Sequence, residues 1–133
     1  MNRIIRDVMR RGVVTCRVNA TADEVAKIML DNDVPALVVT DERLDACGVV
    51  TKTDVIRCYG KDLTAITAED MMSSKLLTVS ADALVHDAVQ QMLAHKVHQL
   101  VIVTEGGSHH RPVGMFTMED AVAVMAGESV DRK

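Results

Sequence analysis

The chain has 133 residues, of which 48% are hydrophobic and 26% are charged, and its formal net charge is −4. This composition is typical of a globular protein that forms one domain or two small repeats sharing a core. The lysines and arginines are scattered, so the basic patch typical of nucleic-acid binders is absent and no nucleic-acid partner is expected. No stretch approaches membrane-spanning length, and no membrane partner is expected.

The cysteines and the N-terminal segment indicate the cellular compartment of the protein. Cys16, Cys47 and Cys58 form no C-x-x-C pair, which argues against a zinc or thiol redox site. The apolar part of the N-terminal segment is too short for a signal peptide. The sequence therefore predicts a cytoplasmic protein with reduced thiols, no metal and no cofactor.

An internal duplication organises the chain. The triplet D-V-M near the N-terminus recurs as D-M-M after an offset of 63 residues. From Gly48 onward, whose equivalent is Gly114, the offset is 66 residues, so three residues are gained in the preceding loop. We predict a first repeat over residues 1–62 and a second over residues 63–133.

Both repeats predict the same elements in the same order: a strand, an amphipathic helix, two strands joined by a turn, and a closing helix. The i, i+3, i+4, i+7 spacing of apolar residues begins at Ala22 and recurs at Val85. The runs Ala36–Thr40 and Leu100–Thr104 are continuously apolar, which is typical of strands covered on both faces. The predicted fold class is therefore α/β (α+β), with two tandem β-α-β-β-α repeats. The remaining elements are short apolar strands over Val13–Arg17 and Leu76–Ser80 and closing helices over Thr53–Tyr59 and Met118–Ala126.

Each repeat closes with one motif: a Gly, two apolar residues, a Thr, two variable positions and an Asp. It reads G-V-V-T-K-T-D over residues 48–54 and G-M-F-T-M-E-D over residues 114–120. Two interpretations are open. A Thr three residues before an Asp is typical of a helix capping box, and T-A-E-D over residues 67–70 also predicts a cap for a single helical turn. The same groups at a helix start, beside unpaired backbone N–H groups, can hold a phosphorylated ribose.

The element order, the D-V-M triplet, the strands V-P-A-L-V-V and V-H-Q-L-V-I-V, and the repeated closing motif resemble a pair of CBS domains, the Bateman module. The resemblance spans Arg6 to about Met125. It implies that the two repeats pack through their sheets about a pseudo-twofold axis, with two clefts between them. It also implies that two such modules pair into a disc-like homodimer.

The resemblance further implies an adenosyl ligand. In CBS pairs that bind adenine nucleotides, the motif Asp holds the ribose hydroxyls and the motif Thr faces the phosphates. These roles carry over to Thr51 with Asp54 and to Thr117 with Asp120, and an ionised carboxylate can accept from both hydroxyls of a diol. By the same resemblance each cleft takes walls from both repeats. One cleft is expected to combine the first motif and Val49 with Met72, Leu77, Val97 and Gln99. The other is expected to combine the second motif and Met115 with Met9, Val14, Val34, Pro35 and His98.

The two motifs differ in charge. Lys52 and Arg57 flank the first, whereas the equivalents in the second are Met118 and Ala123. The first motif is therefore predicted to be the better site for a phosphorylated ligand. His98 is open to two interpretations, a phosphate contact or a partly buried structural residue.

Three functions remain to be compared. We favour a stand-alone regulatory module that senses AMP, ADP, ATP or a related adenosyl compound such as S-adenosylmethionine, works as a homodimer and acts on a protein effector. The alternative is a ligand-free assembly module whose motif residues are helix caps. An enzyme is least favoured, because the sequence offers no nucleophile with an adjacent base, no metal cluster and no paired catalytic carboxylates.

Overall fold

The computed structural model describes residues 3–104 and 110–127 and, within strand β1, only the backbone. It contains thirteen helices and strands in these ranges. In chain order they are α1 (Ile5–Val8), β1 (Arg10–Arg11), β2 (Thr15–Arg17), α2 (Ala22–Asn32), β3 (Ala36–Thr40), β4 (Ala46–Thr51), α3 (Lys52–Ile56), α4 (Ala68–Met71), β5 (Thr78–Val79), α5 (Val85–His95), β6 (Gln99–Val103), β7 (Pro112–Thr117) and α6 (Met118–Met125).

These elements confirm the predicted α+β class and the repeated β-α-β-β-α order. The bounds differ most at α3, which the sequence extended to Tyr59. The helix begins one residue earlier because Thr51 is its N-cap, and it ends at Ile56 because turns lead from there to Gly60, whose φ is +87°. The predicted insertion lies in the loop between β6 and β7, of which residues 105–109 are outside the described range.

The chain divides into two compact units whose bounds differ from those of the sequence repeats. The central unit is Val14–Leu76, and the terminal unit combines Met1–Val13 with Leu77–Lys133. The predicted repeats over residues 1–62 and 63–133 concern the duplicated sequence and stay a prediction. In the structure, each unit combines the short helix near the start of one repeat with the strands of the other repeat.

The central unit is built on a three-stranded sheet in the order β2-β3-β4. Strand β2 runs parallel to β3, and β4 runs antiparallel to it. All five residues of β3 are buried, as its continuous apolar run predicts. Helices α2 and α4 complete a core in which Val25, Leu37 and Val50 are fully buried.

The terminal unit repeats this arrangement with one more strand, in the order β1-β7-β6-β5. Strand β1 pairs antiparallel with β7, so Arg10 lies opposite Met115. In the central unit a single bridge between Val49 and Ser73 occupies the equivalent place. The core of the terminal unit is centred on Phe116, which is fully buried among Ile5, Met92, Leu100 and other apolar side chains.

Candidate functional site

The first motif forms the junction between β4 and α3, and its Thr and Asp hold each other. The Thr51 N–H donates to Asp54 Oδ2 at 2.8 Å, and the Thr51 hydroxyl lies 3.0 Å from the same oxygen. In return the Asp54 N–H donates to Thr51 Oγ1 at 3.4 Å. The capping interpretation is therefore confirmed for this motif, and it engages only one of the two carboxylate oxygens.

The other oxygen of Asp54 faces Arg57. Arg57 Nη1 lies 3.6 Å from Asp54 Oδ1, with the Arg57 side chain 74% exposed and that of Asp54 15% exposed. A partly accessible carboxylate beside an exposed guanidinium can accept from a sugar hydroxyl while the guanidinium attracts a phosphate. Lys52, the other cation of this motif, lies instead along a groove between α2 and α3.

The second motif repeats the cap at the junction between β7 and α6. The Thr117 N–H donates to Asp120 Oδ2 at 2.9 Å, and the Asp120 N–H donates to Thr117 Oγ1 at 3.2 Å. Asp120 is only 1% exposed. The two motifs thus share their cap geometry and differ in the accessibility of the carboxylate.

Cap geometry alone does not distinguish these motifs from other helix starts of the chain. The predicted cap at Thr67 is confirmed, with the Thr67 N–H donating to Asp70 Oδ2 at 3.0 Å and the Asp70 N–H to Thr67 Oγ1 at 3.4 Å. At the start of α2, hydrogen bonds from the backbone and the hydroxyl of Thr21 hold the pKa of Glu24 below its usual range. What sets the two closing motifs apart is the strand that precedes each Thr.

The leading Gly of the first motif marks a close approach of two chain segments. A Cβ at Gly48 would lie 2.5 Å from Met72 Sδ and 2.9 Å from the Ser73 carbonyl oxygen. Ser73 is held there by two backbone hydrogen bonds with Val49, of 3.0 and 3.2 Å. The Gly therefore admits the segment after α4, which lies against the strand that carries Thr51.

The predicted wall residues are divided between the two units. The Lys52 N–H, next to Thr51, donates to the Pro35 carbonyl at 3.0 Å, so Pro35 lies beside the first motif although it was expected in the cleft of the second. The Met118 N–H, next to Thr117, donates to the His98 carbonyl at 3.0 Å, so His98 lies beside the second motif. His98 is exposed, as is Pro35. The central unit contains Val14, Val34, Pro35, Val49, Thr51, Asp54 and Met72, and the terminal unit contains Met9, Leu77, Val97, His98, Gln99, Met115, Thr117 and Asp120. The predicted composition of each cleft from both repeats stays a prediction.

Sequence reasoning missed a set of exposed apolar side chains on the helices and, for Tyr59, in the turn after α3. Their exposed fractions range from 59% to 91%, which is unusual for large apolar residues at equivalent places of two repeats. The repeat offsets would have revealed them, because they pair as Leu30 with Leu93, Ile56 with Val122 and Tyr59 with Met125. Leu30 and Ile56 border a groove of about 240 Å³ in the central unit, which also contains Met29 and Val55.

Residues 3–104 and 110–127 lack two further features. These residues contain no group of three or more His, Cys, Asp or Glu side chains placed to hold a metal ion. None of their helices combines the length and apolar character needed to span a bilayer.

Comparison with known proteins gives a consistent result. The CBS domain family profile matches residues 5–61 and 68–127. An uncharacterised protein of Methanopyrus kandleri is 30% identical over 90% of this chain, which spans 61% of that relative's length. Hypoxic response protein 1 of Mycobacterium tuberculosis is 28% identical over 86% of this chain and 80% of its own length.

A solved structure with the same fold contains adenosyl compounds. It is a CBS domain pair in complex with 5′-methylthioadenosine and S-adenosyl-L-methionine. The TM-score is 0.85 at 22% identity, and the match covers 96% of this chain and 98% of the other. At this identity the likeness establishes the fold.

Proposed function

Because this chain belongs to the CBS domain family, we propose that it is a regulatory module that binds an adenosyl compound, either an adenine nucleotide or a relative such as S-adenosylmethionine. The observation that carries the proposal is the Asp54 carboxylate, which caps α3 through Oδ2 and leaves Oδ1 beside Arg57. The adenosyl compounds held by a CBS pair of the same fold support it.

We assign the ribose to Asp54 and the phosphate end of the ligand to Arg57. Oδ1 can accept from a ribose hydroxyl without breaking the cap, because the cap uses Oδ2. The exposed guanidinium supplies up to five N–H donors for a phosphate. The second motif has Met118 and Ala123 at the equivalent positions and a buried Asp120, so we propose that it binds phosphorylated ligands more weakly.

Calorimetric titration with AMP, ADP, ATP, S-adenosylmethionine and 5′-methylthioadenosine tests this assignment. We expect Asp54→Asn to lower the affinity for the preferred ligand at least about tenfold, since a hydrogen bond to a charged group is lost. Arg57→Ala should lower the affinity for phosphorylated ligands and leave the affinity for unphosphorylated ligands unchanged.

Asp70 provides a matched control. It caps α4 with the same geometry as Asp54 caps α3 but belongs to no closing motif. Asp70→Asn should therefore lower the free energy of unfolding by about 1 kcal/mol, the usual contribution of a helix cap, and leave ligand affinity unchanged. Equal affinities in the wild type, Asp54→Asn and Asp120→Asn would refute the role of the aspartates.

We also propose self-association through the exposed apolar residues, either beside ligand sensing or, if no ligand binds, as the function itself. Six large apolar side chains form three equivalent pairs in the two units, five of them on helices and Tyr59 in the turn after α3, and exposed apolar side chains that cluster are typical of an interaction site. The binding partner at these residues is another copy of this chain.

Sedimentation analysis of the double variant Ile56→Lys/Tyr59→Lys tests self-association. We expect a monomer where the wild type is a dimer. Leu44→Lys is the control, because Leu44 is 48% exposed in the turn between β3 and β4 and is not one of the six paired residues. A monomeric wild type at about 100 µM would exclude the dimer.

The remaining parts of the proposal concern the cellular context. Cys16, Cys47 and Cys58 are not in disulfides, consistent with a proposed cytoplasmic location. We propose that the module is not itself catalytic and that ligand binding changes its affinity for a protein effector by about 1–3 kcal/mol, the usual range of allosteric coupling.

A further inference from the structure

The terminal unit contains a cavity whose lining includes none of the residues to which we assign the ribose and the phosphate of the adenosyl ligand. Its volume is about 460 Å³, within the range of small-molecule sites. Val103, at one end of β6, contributes to its wall, whereas Thr117 lies opposite Gln99 at the other end of the same strand. Four residues of extended strand separate the two places by about 13 Å. The cavity is therefore distinct from the second motif.

The floor of the cavity is apolar. Met9, which the family resemblance implies as a wall residue of the second cleft, is 4% exposed and lines this cavity together with the half-buried Val103 and Val113. The hydroxyl-bearing residues Ser80 and Thr104 also line the cavity. This floor suits a branched or thioether side chain of moderate size, because burial of such groups from water is favourable.

Among the described lining residues, Arg6 and Asp82 place a cation beside an anion. The Arg6 guanidinium forms an ion pair with the Asp82 carboxylate, and their side chains are 48% and 67% exposed. The backbone holds both residues, since the Arg6 N–H donates to the Ala81 carbonyl at 2.8 Å and the Asp82 N–H donates to Ser80 Oγ at 3.0 Å. Exposed ion pairs contribute little to stability, so a ligand with both charges can replace the pair with two charge-assisted hydrogen bonds.

The charged pair is a property of this unit and not of the repeated fold. The central unit reproduces the backbone frame, because the Glu69 N–H donates to the Val18 carbonyl at 3.0 Å just as that of Arg6 donates to Ala81. At the offset of 63 residues, however, Arg6 corresponds to Glu69 and Asp82 to Asn19. The fold therefore does not require a cation and an anion at these positions.

We propose that this cavity binds a zwitterionic α-amino acid with an apolar side chain. The carboxylate of the ligand lies against Arg6 and its ammonium group against Asp82. The side chain of the ligand rests on Met9, Val103 and Val113. A free amino acid matches the site in both its adjacent opposite charges and its apolar part.

NMR titration of protein labelled with ¹³C at the methionine methyl groups tests the proposal, with the Met9 signal assigned from Met9→Leu. We expect L-leucine and L-methionine to shift this signal saturably. Two analogues that lack one charge, 4-methylpentanoate and isoamylamine, should bind at least about tenfold more weakly.

Variants distinguish loss of amino-acid binding at this cavity from general effects on the fold. Arg6→Gln and Asp82→Asn should each weaken amino-acid binding at least about tenfold, with the other methionine signals unchanged. Glu69→Gln, at the equivalent place in the central unit, should bind like the wild type. No saturable shift up to about 50 mM ligand, equal binding of either single-charge analogue, or wild-type affinity in both Arg6→Gln and Asp82→Asn would overturn the proposal.

Discussion

Replacing Gly48 by Ala is expected to destabilise the protein by about 2 kcal/mol, because overpacking a well-packed site typically costs 1–3 kcal/mol. The added Cβ would lie 2.5 Å from Met72 Sδ, 2.9 Å from Met72 Cγ and 2.9 Å from the Ser73 carbonyl oxygen. All three distances are below normal van der Waals contact, so the neighbours must move.

The two neighbours differ in how readily they move. The Met72 thioether is the flexible part of a half-buried side chain. The Ser73 carbonyl is backbone and accepts from the Val49 N–H at 3.2 Å. Displacing it loses a hydrogen bond worth about 1 kcal/mol, and the reduced entropy of the unfolded Ala chain returns only about 0.4–1 kcal/mol. The steric cost therefore exceeds the entropic gain, and the free energy of unfolding is expected to fall.

Urea denaturation of Gly48→Ala, Met72→Ala and the double variant measures the effect. We expect a coupling free energy of about 1 kcal/mol, because truncating Met72 removes two of the three close contacts. Gly60→Ala is the control: its φ is +87° with open space around the new Cβ, so it should cost about 1 kcal/mol through backbone strain alone. A Gly48→Ala variant within about 0.5 kcal/mol of the wild type, or one that shows no coupling to Met72, would refute the steric account.

Two further predictions concern single positions. Lys96 ends α5 in the left-handed conformation, with φ of 56°, so Lys96→Gly should raise the free energy of unfolding by about 0.5–1 kcal/mol; a lower urea midpoint would contradict this. Burial raises the pKa of the Cys16 thiol to about 11, and burial also raises that of the more exposed Cys47. Iodoacetamide at pH 8 should therefore label Cys47 before Cys16, as followed by peptide mass spectrometry, and Cys16 should react readily only as the pH approaches 11; equal rates at pH 8 would show that Cys16 is not protected.

Local features of the candidate site could be predicted from the sequence. The Thr-x-x-Asp spacing predicted the caps, and the structure forms them at Thr51, Thr67 and Thr117. A cap involves groups three residues apart, so the local sequence contains all the information needed to form it. The same holds for β3, whose continuous apolar run predicted a strand covered on both faces.

The unequal state of the two motif carboxylates could not be predicted in this way. Asp54 and Asp120 occupy the same place in the repeat, yet Asp120 is 1% exposed and the Asp54 side chain is 15% exposed. How deeply each carboxylate is buried depends on residues that are distant in sequence. The spacing within a motif contains no information about those residues. Arg57 is an intermediate case: its place three residues after Asp54 keeps the two side chains close, but only the structure shows that the guanidinium faces Oδ1.

By itself the sequence determined the duplication, the order of elements and the identity of the repeated motif, because periodicity, capping and repeat offsets are properties of neighbouring residues. The tertiary structure was needed to show that residues 63–76 belong to the unit of the first repeat and residues 3–13 to that of the second. It also decided that Gly48 is needed for close packing against Met72 and Ser73. These outcomes rest on hydrogen bonds and contacts between residues far apart in the chain, which form only when the strands and helices pack together.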